Sequence, residues 1–262
     1  MKRLLLLVSL ILASPLAAQV YEGRQLVEAS LVADTTAIVP GRPFRLGLHL
    51  RMAPGWHTYW QNPGDAGLAT TFDLALPDGF AAGPVEWPVP RRIVEPGDVE
   101  VYAYKGDVLL VRTVTPPMAM RAFSDTPLDF RAKSSWLVCE EICIPGKASL
   151  DLTLPVAADA TPANAELFAR FGALLPSGSP PPFAIAWSAT PTGWNLGIRV
   201  AQNAKRAEFF PYVNDAHPAG HTAPRNIADG NADLAVPVGG STNTSGVLAL
   251  EFADGTRRGW IV

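Results

Sequence analysis

The sequence predicts an all-β protein: an immunoglobulin-like β-sandwich carrying a hairpin with two cysteines four apart, a short helix and linker, and a second, smaller β-sandwich. Three observations predict it. Apolar and polar residues alternate with period two over many short runs, the pattern of half-buried strands. The 25 prolines and 22 glycines cut the 262-residue chain into segments too short for long helices. A single run has helical spacing, and a proline-rich stretch follows it.

Residues 1–18 read as a secretory signal, with Lys2 and Arg3, an apolar run from Leu4 to Leu12, and small residues through Ala17 and Ala18. The run is too short to anchor a chain in a bilayer, and no later stretch is long enough, so the mature protein is expected to be periplasmic without a transmembrane segment. Without Lys2 and Arg3 the remaining 19 basic residues face 24 acidic ones, a net charge of −5. That balance gives no basic footprint for nucleic acid or for an anionic membrane surface.

Residues 19–156 are expected to form the first sandwich. Phe44 to Met52 alternates without a break and puts His49 on the polar face; further strands are expected at Gln25 to Ala33, Thr71 to Leu76 and Asp107 to Thr115. Pro40-Gly41, Pro54-Gly55 and Pro77-Asp78-Gly79 mark the turns. In residues 157–182, Thr161 reads as a helix cap with Pro162 at the first helical position, and Leu167, Phe168, Phe171, Leu174 and Leu175 share one face. Pro176 to Pro182 is the linker. Residues 183–262 then offer six strand-like runs, beginning at Phe183, Trp194, Arg206, Ala232, Val247 and Gly259. His217 and His221 sit in a Gly/Pro loop with no third ligand near in sequence, and Asn243-Thr-Ser245 matches a glycosylation acceptor.

Cys139 and Cys143 are the only cysteines. Phe130, Ala132, Ser134, Trp136 and Val138 form one phase of an alternating run, and Ile144, Ala148, Leu150, Leu152 and Leu154 the matching phase after it. Both cysteines therefore fall on the face away from the core, opposed across a loop of Glu140, Glu141 and Ile142. A disulfide there is sterically plausible, although such a loop favours a glycine that is absent. A bond closing so short a loop contributes only about 2 kcal/mol in the chain-entropy model, a poor return for a structural staple. Three readings follow: an exchangeable disulfide, an inert staple, or a pair of soft-metal ligands. Glu140 and Glu141 disfavour a thiolate, which suits a bond attacked by a partner's thiolate.

Two further stretches accompany the cysteines. Trp56-His57-Thr58-Tyr59-Trp60 packs large rings into five residues, half of them destined for the core and half for the opposite face. Trp87-Pro88-Val89-Pro90-Arg91-Arg92 opens an excursion through Asp98, Glu100, Val101, Tyr102 and Tyr104 that is expected to be ordered but not strand, and able to lie over the thiols.

Together, Trp-His-Thr-Tyr-Trp-Gln-Asn-Pro-Gly-Asp (56–65), Trp-Pro-Val-Pro-Arg (87–91), Tyr-Ala-Tyr-Lys-Gly (102–106) and Trp-Leu-Val-Cys-Glu-Glu-Ile-Cys-Ile-Pro-Gly (136–146) resemble the N-terminal periplasmic domain of the DsbD family, its ScsB-like branch above all. The resemblance implies an immunoglobulin-like domain that takes electrons from a thioredoxin-like domain, itself reduced by a DsbD/CcdA-type membrane donor. It then passes them to periplasmic disulfide proteins. By position, Cys139 and Cys143 would be the redox pair, with no other cofactor, and Cys143 the interchange sulfur. Asp98, Glu100, Val101, Tyr102 and Tyr104 would form a cap, with Tyr102 the shielding ring, while Trp56, His57, Tyr59 and Trp136 would line the site. Well-known members continue into a transmembrane domain and a C-terminal thioredoxin-like domain; this chain ends at Val262, so the donor is expected to act in trans.

Two other functions compete with the relay. Two thiols with Met52, Met118, Met120 and the histidines could hold Cu(I), and an adaptor could use the second sandwich to dock a partner around a structural disulfide. A relay needs both cysteines and a reversible potential, copper binding needs reduced thiols and a stoichiometric metal, and an adaptor tolerates loss of both.

Overall fold

The computed structural model describes residues 17–120, 126–200, 203–212, 222–237 and 245–262. The signal segment up to residue 16, His217, His221, Asn243 and Thr244 lie outside them.

Eleven strands build the first sandwich: β1 (Ala17–Tyr21), β2 (Arg24–Ala33), β3 (Phe44–Met52), β4 (His57–Gly64), β5 (Asp73–Ala75), β6 (Ala81–Ala82), β7 (Arg91–Glu95), β8 (Val99–Lys105), β9 (Asp107–Thr115), β10 (Leu128–Cys139) and β11 (Cys143–Leu154). One sheet runs β1-β2-β3-β9-β6; the other runs β11-β10-β4-β8-β7, with β5 on the flank of β10. The alternating phases meet between the sheets as expected. Leu46, Leu48 and Leu50 of β3 pack with Phe130, Ala132, Trp136 and Val138 of β10 in one buried core. The hairpin of β10 and β11 is paired without a bulge from Leu128↔Leu154 to Cys139↔Cys143.

Helix α1 (Ala165–Gly172) follows, burying Phe168 and Phe171 against Leu109 and Val111 of β9. Its cap is Asn164, not Thr161: Asn164 takes a left-handed conformation and its side-chain amide donates to Ala33 O (2.9 Å), while the Thr161 hydroxyl pairs with that of Thr36 (3.1 Å). A second layer pair completes the chain: β12 (Ala184–Thr190), β13 (Gly193–Arg199) and β16 (Asn231–Pro237) in one sheet, and β14 (Ala204–Pro211), β15 (Arg225–Asn226), β17 (Gly246–Phe252) and β18 (Arg257–Ile261) in the other. Leu196, Ile198, Phe209, Leu234, Leu248 and Leu250 fill its core.

The two sandwiches share apolar surface. Phe210, Val247 and Ala249 belong to the buried core of the first sandwich, although they lie on β14 and β17. Phe210 stands edge-on to Tyr102 (5.0 Å between ring centres) and to Trp60 (6.2 Å). Pairing between β4 and β8 slips between Tyr59 and Gly64, and in that irregular stretch the Asn62 amide donates to Pro211 O at 2.8 Å. Around the rings, Arg92 binds Glu100 and Thr222 O, while Arg257 binds Pro90 O and, at 2.8 Å, Glu208.

Candidate functional site

Cys139 ends β10 and Cys143 begins β11, so the disulfide between them closes the last rung of the hairpin, with Cα atoms 4.2 Å apart. None of Glu140, Glu141 and Ile142 has a positive φ; the turn closes through the Glu140 N–H donating to Ile142 O (3.2 Å), which removes the need for glycine. The glycine requirement falls next door instead. Gly55 has φ +92°, and a Cβ there would collide with the Glu140 carboxylate.

The two sulfurs live in different surroundings. Cys143 is exposed, whereas Cys139 is 1 % exposed, covered by Tyr59, Val101 and Ala103 with Ile93, Val99 and Leu137 around them. Facing away from the main core thus does not leave Cys139 at the surface, because the β7–β8 hairpin lies beside it. That hairpin corrects the expectation of a non-strand excursion over residues 87–104: β7 and β8 pair from Arg91↔Ala103 to Glu95↔Val99 around a tight turn at Gly97 and Asp98, both with positive φ.

Strand alternation then sorts the expected cap residues. Val101 faces Cys139. Tyr102 and Tyr104 point the opposite way, into the main core, where Tyr104 donates to Pro88 O (2.6 Å) and Tyr102 meets Phe210. Tyr102 is therefore not the ring that shields the sulfurs. Glu100 is held by Arg92 and by Asp65, whose carboxylate accepts from the Glu100 N–H (2.9 Å), and Asp98 sits at the hairpin tip. Trp56 and Trp136 are buried in the main core; the Trp136 indole N–H donates to Gln19 Oε1 (2.7 Å).

Tyr59 and His57 are the residues the fold brings to the disulfide. The Tyr59 hydroxyl lies 3.9 Å from Cys143 Sγ and 3.5 Å from Glu95 Oε1, and its ring is held against Gly67, where a Cβ would overlap it. His57 is the register partner of Cys139 on β4, is 2 % exposed, and packs edge-on to Tyr59 at 5.2 Å. Its Nε2 is 2.9 Å from Glu95 Oε1, out of line for a regular hydrogen bond but within ion-pair distance once the ring is protonated. Glu95 is the residue that sequence reasoning missed; no local pattern marks it, because its role depends on β7 folding back over β4.

Burial lowers the His57 pKa below its ordinary value; Glu95 opposes the shift and Lys105 adds to it. Burial, reinforced by Glu95, raises that of Tyr59, so its hydroxyl stays protonated as a donor. Because the folded chain holds His57 below its unfolded pKa, stability from this group is present above about pH 6.5 and is lost as pH falls through the folded value. Between pH 7 and pH 5, His57→Gln should therefore lose less stability in urea titrations than the parent protein; an equal loss would remove the assignment.

Among the described residues no group of three His, Cys, Asp or Glu side chains comes together as a metal site, and no helix is long and apolar enough to cross a membrane. Met52 is buried and accepts from the Thr58 hydroxyl, and Met118 rests on Gly41.

A search of curated proteins by sequence finds no match. Among solved structures, the fold resembles the N-terminal periplasmic domain of ScsB from Proteus mirabilis, with TM-score 0.65 and 17 % identity over 94 % of this chain and 96 % of that one. The periplasmic chaperone SfaE (TM-score 0.26, 7 % identity, 89 % and 98 % covered) and the E. coli chaperone DraB (0.25, 8 %, 89 % and 98 %) are too distant to bear on fold or function. The family described as thiol:disulfide interchange protein DsbD, N-terminal, matches residues 25–155, half of the chain and the whole of the segment carrying the disulfide. With its β-sandwich, its cysteine hairpin and that match, the chain belongs to the DsbD N-terminal domain family of thiol–disulfide interchange proteins.

Proposed function

We propose that this protein is a periplasmic electron relay, which accepts electrons from a thioredoxin-like or membrane donor and passes them to disulfide-bonded proteins through Cys139 and Cys143. The observation that carries the reading is the unequal exposure of the pair. An incoming thiolate can reach Cys143, while Cys139 waits beneath Tyr59 and Val101 as the second sulfur. The disulfide closes a short loop and contributes little to stability, which fits exchange better than stapling.

The reduction potential tests it. Equilibrating the mature protein in glutathione or dithiothreitol buffers and counting free thiols should give a value between about −120 and −270 mV, the range of exchange proteins. A value below about −300 mV would mark a structural bond and end the relay reading.

A further inference from the structure

In the antiparallel pairing of β10 with β4, Cys139 and His57 are direct partners, so their side chains leave the sheet on one face with Cβ atoms about 4.5–5.5 Å apart. The two lie in the same dry pocket, at 1 % and 2 % exposure. Beyond His57 on the same row, Lys105 is its partner on β8, and Glu95 reaches Nε2 from β7. We propose that His57 is the proton acceptor for Cys139, and that Glu95 is a positioning residue that steadies the imidazolium this creates.

The inference rests on the relay reading and supplies a step that reading leaves open. A buried thiol in apolar surroundings resists ionisation, yet only the thiolate is a nucleophile. In the delivering direction, Cys143 loses its proton to water and its thiolate attacks one sulfur of a substrate disulfide; the bond from Cys143 to that sulfur forms, and the substrate S–S bond breaks with its electron pair leaving on the other substrate sulfur, which takes a proton from water. The Cys139 S–H proton then passes to His57. Cys139 Sγ attacks Cys143 Sγ, the Cys139–Cys143 bond forms, and the bond from Cys143 to the substrate sulfur breaks with its electron pair going to the substrate, whose thiolate takes a proton from water. Two electrons have moved from the dithiol of this chain to the substrate disulfide. A cysteine, a histidine that can take its proton, and a carboxylate within ion-pair distance of the ring form the kind of arrangement by which buried nucleophiles are activated. Glu95 Oε1 stands 2.9 Å from Nε2, ready to pair with the ring once it is protonated.

The surrounding groups fit an acceptor. Those that face His57 are Glu95 from β7, Lys105 from β8, Tyr59 on its own strand and Cys139 from β10, with Cys143 beyond them against the Tyr59 hydroxyl. Burial and Lys105 keep the ring neutral near pH 7, and Glu95 becomes its ion-pair partner only after the proton arrives. Tyr59, held protonated, can donate to Cys143 Sγ but cannot accept from Cys139.

The test reads the second step alone. Fully reduced mature protein is mixed with oxidised glutathione between pH 5 and pH 8, quenched with acid, and followed by mass spectrometry for the glutathione adduct and its decay to the internal disulfide. In the parent protein, decay should speed up as pH rises through the His57 pKa, below 6.5, and then level off. In His57→Gln the decay at pH 7 should fall at least about tenfold and climb steadily with pH, because the thiol must ionise unaided. His57→Asn gives a second removal should the first disturb folding, and Glu95→Gln should keep the plateau but move its onset to lower pH. Decay with the parent's rate and pH profile in His57→Gln or His57→Asn overturns the proton acceptor while leaving the relay intact. Failure of the parent itself to exchange with glutathione overturns the relay, and the acceptor with it.

Discussion

Cys143→Ser is expected to abolish exchange altogether, while Cys139→Ser should still be attacked and then stall. The asymmetry follows from exposure. In Cys139→Ser the accessible sulfur of Cys143 can join a partner in a mixed disulfide, but nothing remains to resolve it. In Cys143→Ser the one remaining thiol is Cys139, at 1 % exposure under Tyr59, Val101 and Ala103. Incubation of each reduced variant with oxidised glutathione, read by intact mass, should show a persistent adduct for Cys139→Ser and none for Cys143→Ser. Adducts of equal amount in both would show that the β7–β8 hairpin gives Cys139 no cover. Either substitution should cost the fold only about 2 kcal/mol, since the bond closes so short a loop.

Phe210→Ala should be the most damaging substitution for stability, at about 3–5 kcal/mol. The ring has no exposed surface, and it joins the two sandwiches: it lies on β14 of the second yet packs on Trp60 and Tyr102 in the core of the first, with the Arg257 guanidinium 5.3 Å from its centre. Truncation would open a void lined by Trp60 and Tyr102 and leave the half-buried Arg257–Glu208 pair less well covered. Urea unfolding followed by tryptophan fluorescence should show the midpoint drop sharply while Val20→Ala, at a site 60 % exposed, moves it little. A loss below about 1 kcal/mol for Phe210→Ala would mean that the sandwiches are not packed on one another through this ring.

Much of this architecture was legible in the chain because one face of each strand is dry and the other wet. Strand β10 alternates cleanly, and the register of the cysteine hairpin followed from counting phases toward Glu140 and Glu141. The β7–β8 hairpin was not legible for the opposite reason. Val99, Val101 and Ala103 cover the disulfide, while Tyr102 and Tyr104 enter the main core, so β8 is apolar on both faces and shows no alternation. The prolines at 88 and 90, together with Gly97, then read as loop. The same two-sidedness misplaced the cap: resemblance pointed to an aromatic ring in this segment, but the occupancy of Tyr102 is decided by Phe210, over a hundred residues away. Glu95 was invisible because an isolated exposed-looking glutamate acquires meaning only from the strand it lies across. His57, by contrast, could be placed near the sulfurs from its motif, though not opposite Cys139.

The disulfide sits at the last rung of an unbroken ladder rather than across the sandwich. Opening it frees a turn of three residues and leaves every other strand pairing of the hairpin in place. On the proposed relay reading, the oxidised and reduced proteins are expected to be nearly the same body, with little structural reorganisation for each electron pair. A partner of such a relay, having to tell a loaded carrier from an empty one, would then have only the hairpin tip to read, which would confine recognition to the few residues around Cys143 and make the rest of the molecule a chassis indifferent to its cargo.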